Sequence, residues 1–298
     1  MLRKRVIVGS SLIVSLVLVL WLDGVLDRLR LPALLADILQ RETFPPGTLL
    51  FPVVAGLSLI AAREFAAMLR RKGIAASARA STTAALIGLV VSTFVPEAMP
   101  AVNAAALVAT AAVAVLVASI VFHARHCTVE GVIAATGSTL FAFVYLGLLF
   151  GFLMAIRRQH EVWIILWVLL VTKSCDIGAY FTGRAIGKHK LIPWLSPGKT
   201  WEGLFGGIVF ASLIGALGAW LLGRTGVPAS PSPLVGALAG VLFSLVGHAG
   251  DLMASVLKRD TGVKDTGTAL PGMGGLIDVL DSPLLVFPAA YWLLVLTT

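Results

Sequence analysis

Charged residues are scarce in this sequence of 298 residues. Asp, Glu, Lys and Arg together make up 13% of the chain, whereas hydrophobic residues make up 58%. An ordinary soluble domain contains about 25% charged and about 45–50% apolar residues. The deficit excludes a soluble globular domain and indicates a membrane protein with several spans. The net charge of +8 does not indicate nucleic acid as a partner, because the basic residues lie in short loops between apolar runs.

Cysteines are equally scarce, and the first apolar run lacks a cleavage site. The two cysteines, Cys127 and Cys175, exclude a disulfide framework. Residues 1–22 resemble a signal peptide in charge and apolarity, but no small-residue cleavage site is present and further apolar runs follow. We therefore expect residues 1–22 to be retained as a first spanning helix.

The apolar residues form nine runs that approach the length of about 20 residues needed to cross a bilayer as a helix. They are residues 6–22, 47–62, 81–96, 99–122, 131–156, 162–180, 203–222, 234–256 and 283–297. Because 47–62 and 283–297 are short, we expect flanking residues to extend them or the helices to be tilted or broken. Glu64, just after the second run, is expected to face the bundle interior or to pair with a nearby Arg. The predicted fold is an all-α polytopic integral membrane protein.

Loop charge predicts the orientation of these helices. If the N-terminus lies in the cytoplasm, the segments on that side contain 17 Lys and Arg residues and the opposite segments contain six. Basic residues concentrate in the cytoplasmic loops of membrane proteins. We therefore expect a cytoplasmic N-terminus and a C-terminus on the opposite side. Two polar stretches, residues 176–203 and 250–281, then both face the cytoplasm.

The first polar stretch combines glycines with basic and hydroxyl side chains. It reads DIGAYFTGRAIGKHKLIPWLSPGKTWEG. Glycines let backbone N–H groups approach phosphate oxygens, and Lys, Arg, Ser and Thr supply charge and donors. The segment does not complete a P-loop, because Trp194 stands where that motif has its first glycine. The alternative is a basic loop that only fixes the topology, although Asp176 and Glu202 would have no part in that task.

The second polar stretch places acids and cations at the ends of two predicted helices. It reads GDLMASVLKRDTGVKDTGTALPGMGGLIDVLD. One helical face carries an acid, a hydroxyl and two cations, namely Asp251, Ser255, Lys258 and Arg259. The glycines and the proline that follow predict a loop. Asp278 and Asp281 are three residues apart and share a face of the next helix.

Three of these carboxylates, Asp251, Asp278 and Asp281, suit a hard divalent cation. Mg²⁺ typically binds one or two carboxylates, keeps several waters and bridges substrate phosphates. The neighbouring Lys and Arg side chains suit phosphoryl oxygens. We therefore expect metal-assisted chemistry on phosphates at a membrane surface.

The second stretch resembles the signature of the phosphatidate cytidylyltransferases (CDP-diacylglycerol synthases). That signature runs Ser-x-x-Lys-Arg, four residues, Lys-Asp, a Pro-Gly-His-Gly-Gly turn and two aspartates three apart. The matching positions are Ser255, Lys258, Arg259, Lys264, Asp265, Pro271, Gly274, Gly275, Asp278 and Asp281. The first stretch is similar to another polar loop of that family, at Asp176, Gly183, Arg184, Gly187, Ser196, Lys199, Thr200 and Glu202 among others. The sequence departs from the family at Met273, Val279 and Gly198, where His, Arg and Lys are usual.

The resemblance implies transfer of CMP from CTP to phosphatidate, which gives CDP-diacylglycerol and pyrophosphate for phospholipid biosynthesis. The residues expected to be catalytic are Lys258, Arg259, Lys264 and Asp265. Those expected to bind substrate are Ser196, Lys199, Thr200, Arg184 and Ser255. Those expected to hold metal are Asp251, Asp278, Asp281 and Asp176. The expected cofactor is Mg²⁺, with a second, monovalent cation left open.

The resemblance also implies the setting of this reaction. One membrane domain, residues 1–298, is expected to contain N-terminal spans in 1–160 and catalytic spans and cytoplasmic loops in 161–298. The expected partners are CTP, phosphatidate and membrane lipids, but no nucleic acid, with a homodimer left open. The expected location is the cytoplasmic (inner) membrane of a bacterium, with the active site facing the cytoplasm.

Two alternatives fit the residues less well. A CDP-alcohol phosphatidyltransferase has a pattern that begins with Asp-Gly and ends with Gly-x-x-x-Asp-Ser-x-x-Asp, and the upstream part is missing before Asp278 and Asp281. An ion-coupled transporter would place acids near mid-span between broken helices. The acids here cluster instead in predicted loops and helix ends.

Overall fold

The computed structural model describes residues 2–98, 100–125 and 129–297, so Cys127 lies outside the described residues. Within those ranges the secondary structure is helical apart from one short hairpin, and turns and loops connect the helices. The helices are α1 Leu2–Leu26, α2 Ala33–Leu39, α3 Leu50–Arg71, α4 Ala78–Ala98, α5 Ala101–Ala124, α6 Val132–Phe141, α7 Leu149–Gln159, α8 Val162–Ile186, α9 Trp201–Arg224, α10 Pro233–Asp260 and α11 Ile277–Thr297. A π-helical segment, Ala142–Leu148, joins α6 to α7. Strands β1 (Lys190–Ile192) and β2 (Ser196–Thr200) pair antiparallel.

Nine helical stretches in the described part of the chain are long and apolar enough to cross a membrane. Each overlaps one of the nine predicted runs, which confirms the predicted all-α membrane fold. The two short runs, 47–62 and 283–297, are extended to Leu50–Arg71 and Ile277–Thr297. The helices continue past the apolar residues because the acids they include, such as Glu64, are hydrogen-bonded inside the protein. The orientation of the termini stays a prediction.

The chain forms two compact units, each assembled from separate stretches. Unit 1 comprises Met1–Val8, Val53–Phe152 and Met253–Leu284. Unit 2 comprises Gly9–Pro52, Leu153–Leu252 and Leu285–Thr298. The polar stretch 250–281 therefore lies almost entirely in unit 1, and the stretch 176–203 lies in unit 2. The expected single membrane domain stays a prediction.

In unit 1, α4 packs directly against the π-helical segment. A Cβ atom on Gly88 would lie 2.5 Å from the main-chain oxygen of Phe143, and one on Gly147 would be equally crowded by the backbone of α4. Small residues let membrane helices approach this closely. On α3, the Ser58 hydroxyl donates to the main-chain oxygen of Leu146 at 2.7 Å. These contacts fix α3 and α4 against the π-helical segment, whose buried Phe143 packs with Ala84 and Val115.

In unit 2, glycines allow α8 and α9 to pack with their backbones in contact. A Cβ atom on Gly207 would lie 2.8 Å from the main-chain oxygen of Cys175, and one on Gly178 would lie 2.6 Å from the Cβ of Phe210. The indole N–H of Trp167 donates to a main-chain oxygen of α9 at 3.1 Å. This close pair carries the hairpin between its two helices.

A buried ion cluster joins α1, α3 and α7 within unit 2. The Nε of Arg157 is 2.6 Å from an oxygen of Asp23, and the two side chains are 2% and 0% exposed. The other Asp23 oxygen accepts the backbone N–H groups of Leu49 and Leu50, each at 2.9 Å. Arg157 also pairs with Asp27, although burial raises the pKa of the Asp27 carboxyl. Asp23 therefore links Arg157 to the two backbone donors at the start of α3.

Replacement of Asp23 is expected to destabilise the fold. Asp23→Ala leaves the Arg157 guanidinium buried with one remaining partner and leaves two backbone donors unpaired. Removing one partner of a buried ion pair typically costs about 3–5 kcal/mol. We expect a loss of about 3 kcal/mol in the free energy of unfolding in detergent, followed by chemical denaturation. The control is Asp37→Ala, which removes an exposed acid of α2, and equal stability of the two variants would contradict the prediction.

Candidate active site

Asp278, in the first turn of α11, is the centre of the polar contacts in unit 1. Its Oδ1 accepts the ammonium of Lys258 at 2.7 Å. Its Oδ2 accepts three hydrogen bonds, from the backbone N–H of Thr266 at 2.8 Å, the Thr266 hydroxyl at 3.0 Å and the backbone N–H of Gly275 at 2.8 Å. The side chains of Lys258 and Asp278 are only 14% and 9% exposed. The pair is buried and well bonded, and the start of α11 favours the negative charge.

The loop 261–276 is shaped by its backbone and its glycines, which confirms the predicted loop. Leu270 and Gly274 exchange backbone hydrogen bonds at 2.9 and 3.1 Å, which closes a tight turn. Gly272 and Gly274 have φ angles of 83° and 94°. Residues other than glycine rarely adopt this left-handed region of the backbone. Gly275 leaves no room for a Cβ atom, because it packs against Thr266 and other parts of the loop.

Met273 lies half-buried in this turn, at the position where the resembling family usually has His. Its backbone N–H donates to the main-chain oxygen of Leu270 at 3.0 Å. The backbone and the neighbouring glycines therefore form the turn without a histidine side chain. The departure at Met273 therefore replaces a polar, titratable side chain with an apolar one in a turn that its backbone closes.

Asp281 lies one turn after Asp278 on α11, as the spacing predicted. It is 5% exposed, and its Oδ1 accepts the backbone N–H of Ser282 at 2.7 Å and the Ser282 hydroxyl at 3.2 Å. The Tyr145 hydroxyl donates to the main-chain oxygen of Asp281 at 3.5 Å. The two aspartates thus belong to one helix face, and Asp278 on that face contacts Lys258.

The other predicted residues of unit 1 are more accessible. Ser255 lies half-buried on α10, one turn before Lys258 and Arg259. Arg259, Lys264 and Asp265 are exposed. No described residue forms an ion pair with any of these three, so both cations are available to an anionic ligand.

In unit 2, Lys199 on β2 approaches Asp251 on α10. The ammonium lies 2.6 Å from Oδ2, and the side chains are 19% and 32% exposed. The structure therefore brings together a predicted phosphate-binding cation and a predicted metal ligand. Because the pair is only partly buried, exchanging the partner of either group costs less than it would in the core.

Thr200 has a structural task in addition to its predicted contact with substrate. It is 6% exposed, and its hydroxyl oxygen accepts the backbone N–H of Gly203 at 3.1 Å at the start of α9. Cβ atoms on Gly187 and Gly203 would lie 2.8 and 2.9 Å from that oxygen. The glycines that the sequence suggested for phosphate contact thus make room for a helix cap.

The remaining predicted residues of unit 2 lie on α8 and the hairpin. Asp176, on α8, is 3.5 Å from the ammonium of Lys173. Arg184 donates to the Tyr180 hydroxyl at 3.1 Å. Ser196 lies half-buried at the start of β2. Their substrate and metal roles stay predictions.

Two acids that were not predicted as site residues hold the polar segments in place. In unit 2, Glu202 binds the imidazole of His189 at 2.6 Å and so ties the start of the hairpin to α9. In unit 1, Glu64 accepts the backbone N–H of Leu276 at 2.7 Å and that of Ile277 at 3.3 Å. The sequence signal for Glu64 is an acid within an apolar helix, which is costly unless it has a partner. Glu64 therefore faces the interior, which was the first of the two positions expected for it.

The carboxylates have the right chemistry for Mg²⁺, but they do not form a closed cage. Among the residues that the structure describes, no group of three or more His, Cys, Asp or Glu side chains is arranged to hold a metal ion. Mg²⁺ usually takes one or two carboxylates and completes its shell with water and substrate phosphates. A cation already faces each of Asp278 and Asp251, in the form of Lys258 and Lys199. The donor set therefore fits a metal that arrives with its substrate.

Comparison with known proteins agrees with the sequence pattern. A model of the cytidylyltransferase family matches residues 28–297. The phosphatidate cytidylyltransferase of Bacillus subtilis is 41% identical over 163 residues, which are 54% of this chain and 58% of that protein. That of Mycobacterium bovis is 40% identical over 164 residues, 53% of this chain and 50% of that protein. That of Chlamydia muridarum is 32% identical over 186 residues, 60% of each chain.

These matches confirm the predicted family resemblance and do not favour the phosphatidyltransferase or the transporter. The chain spans about half to three fifths of the length of these relatives. The family match extends through both units, including the N-terminal spans from residue 28 onward.

The packing at Gly275 predicts the effect of one added methyl group. In Gly275→Ala the new Cβ would collide with the Thr266 hydroxyl and lie 2.6 Å from the backbone nitrogen of Gly267. Overpacking of this kind costs about 1–3 kcal/mol. We expect the amides of 261–276 to exchange hydrogen about 5- to 100-fold faster, measured by mass spectrometry in detergent. Gly198→Ala, which meets nothing within 4 Å, is the matched control, and unchanged exchange in Gly275→Ala would contradict this account.

Proposed function

We propose, because the chain belongs to the cytidylyltransferase family, that it transfers CMP from CTP to phosphatidate and releases CDP-diacylglycerol and pyrophosphate. The observation that carries this proposal is the buried pair of Lys258 and Asp278. These two residues are 20 positions apart in the signature that the chain shares with the phosphatidate cytidylyltransferases. Their side chains meet within unit 1, beside a loop that also presents Lys264.

The reaction requires charge neutralisation more than proton transfer. A phosphate oxygen of phosphatidate attacks the α-phosphorus of CTP, and the bond from that phosphorus to the bridging oxygen of the β-phosphate breaks. The electron pair leaves with pyrophosphate. The attacking oxygen is already anionic, so no strong general base is needed. The protein must instead bring two polyanions together and stabilise the charge that develops between them.

The cations of unit 1 suit the first part of that task. Arg259 and Lys264 are exposed and have no counter-ion among the described residues, so they can bind phosphate oxygens without breaking an existing pair. Lys258 is held by Asp278 at a fixed position, which limits the reorganisation needed when a phosphate binds. In unit 2, Lys199 can exchange the carboxylate of Asp251 for a phosphate oxygen in the same way.

The carboxylates suit Mg²⁺ as the cofactor. The residues proposed to hold it are Asp278 and Asp281 in unit 1, and Asp251 and Asp176 in unit 2. When bound, Mg²⁺ supplies positive charge to the phosphate oxygens of the nucleotide. Lys258 occupies Oδ1 of Asp278, so a metal bound at that oxygen would replace the ammonium, while the three hydrogen bonds to Oδ2 keep the loop anchored.

We place the reaction at the cytoplasmic face of a bacterial inner membrane. The excess of basic residues in the predicted cytoplasmic loops supports this orientation, and CTP is a cytoplasmic nucleotide. Phosphatidate and the surrounding membrane lipids are the proposed lipid partners. Light scattering of the purified protein in detergent distinguishes a monomer from a homodimer, and assays in Na⁺ or K⁺ salts test a monovalent cation.

The proposal is tested with purified protein, phosphatidate and CTP labelled in the α-phosphate. We expect a lipid-soluble labelled product that depends on both substrates and disappears when EDTA removes Mg²⁺. Lys258→Met and Asp281→Asn are each expected to lower kcat/KM about 100-fold or more. Asp260→Asn, which removes an exposed acid at the end of α10, is the matched control and should remain active.

The outcomes separate the parts of the proposal. No labelled lipid from the wild-type protein would overturn the function. Full activity in EDTA would overturn the proposed requirement for Mg²⁺ and leave the proposed reaction in place. An Asp281→Asn variant with wild-type kcat/KM would remove Asp281 from the metal set and leave the reaction in place.

A further inference from the structure

Glu64 connects two parts of unit 1 that are far apart in sequence. It lies on α3, and its Oε2 accepts the backbone N–H groups of Leu276 and Ile277 at the start of α11. The first N–H groups of a helix have no partner within the helix, and an anion there is stabilised by the helix dipole. A side chain more than 200 residues upstream therefore caps the helix that carries Asp278.

The carboxylate of Glu64 fits between the two ends of the loop. A Cβ atom on Gly267 would lie 2.6 Å from Oε1, and a Cβ atom on Gly275 would lie 2.6 Å from Oε2. Glycine at both positions thus leaves the space that the carboxylate fills. Oε1 is buried and accepts no hydrogen bond, so the position of this carboxylate is set by Oε2 and by the close packing of the glycines.

The same loop is bound from its other side by Asp278. Thr266, which precedes Gly267, and Gly275 itself donate their backbone N–H groups to Asp278 Oδ2. The other oxygen of Asp278 holds Lys258. The contacts therefore run from Glu64 through the loop to Asp278 and from there to Lys258. Displacement of Glu64 would shift both members of the buried pair.

We propose that Glu64 is a positioning residue for the nucleotidyl transfer, acting through the loop 261–276 to place Asp278 and Lys258. This inference rests on the proposed function. In the described part of the chain Glu64 forms no hydrogen bond to Lys258 or Asp278, and its role is to accept two backbone N–H groups with a side chain of the right length.

That role predicts an order of activities that a charge-dependent role would not give. Glu64→Gln keeps the length and one acceptor oxygen, so kcat/KM should fall only about two- to fivefold, as expected for the loss of a charge beside a helix start. Glu64→Asp keeps the charge but is one methylene too short, and Glu64→Ala has no acceptor. Both should lose more than the Gln variant, with Glu64→Ala about 100-fold below the wild type, the size expected when reacting groups are misplaced by about 1 Å.

The test combines this activity series with hydrogen exchange of the loop. In Glu64→Ala the amides of Leu276 and Ile277 should lose protection, whereas Arg63→Met, at an exposed neighbour on the same helix, should match the wild type in both measurements. Gly267→Ala is an independent second variant that displaces the carboxylate without removing it. It keeps the proposal testable if Glu64→Ala fails to fold, and its activity should lie between those of the Gln and Ala variants.

Each result has a defined meaning. Wild-type activity in Glu64→Ala or in Gly267→Ala would overturn the positioning role while leaving the proposed function intact. A Gln variant as inactive as the Ala variant, with the loop still protected, would assign Glu64 a role through its charge and would also overturn the proposal. Unchanged loop exchange in Glu64→Ala would overturn it whatever the activity. A wild-type protein that forms no labelled lipid would overturn the proposed function, and with it this role.

Discussion

Four bonds to one carboxylate organise the polar part of unit 1. Asp278 binds the ammonium of Lys258 with one oxygen and the backbone N–H groups of Thr266 and Gly275 with the other. A largely buried carboxylate is costly unless donors or a counter-ion compensate its lost hydration. That requirement fixes where α10 ends relative to α11 and gives the intervening loop a single backbone course. The loop needs glycine at positions such as Gly275, because a side chain there would displace the N–H groups that bind Asp278.

Helix starts in this protein are satisfied by distant acids as well as by neighbouring residues. Asp23 accepts two N–H groups at the start of α3, and Glu64 does the same at the start of α11. Thr200 is the example of a neighbouring residue: it directly precedes α9 and caps that helix. A distant cap contributes to tertiary structure as well as to helix stability, because it connects elements that are far apart in sequence.

The sequence predicted the elements of this fold better than their connections. Within the described residues, apolar length located the nine helices that are long enough to span a membrane, and a spacing of three residues placed Asp278 and Asp281 on one face. Extension was one of the outcomes expected for the two short runs, but its length could not be predicted, since apolarity stops at the first charge whereas a helix continues if that charge finds a partner. The partner of Glu64 could not be predicted, because local periodicity contains no information about a contact over 200 positions. The hairpin at 190–200 was missed because its strands are too short to show an alternating pattern. Thr200 was predicted only as a ligand contact, since a hydroxyl before a glycine suits a phosphate and a helix cap equally.

At Met273 the backbone closes the turn, whereas the side chain determines the chemical character of the residue. The turn is closed by the backbone of Leu270 and Gly274 and by two glycine conformations, and none of these uses the side chain at position 273. A substitution at this position can therefore change what the turn presents to its surroundings while the hydrogen bonds that close it are kept.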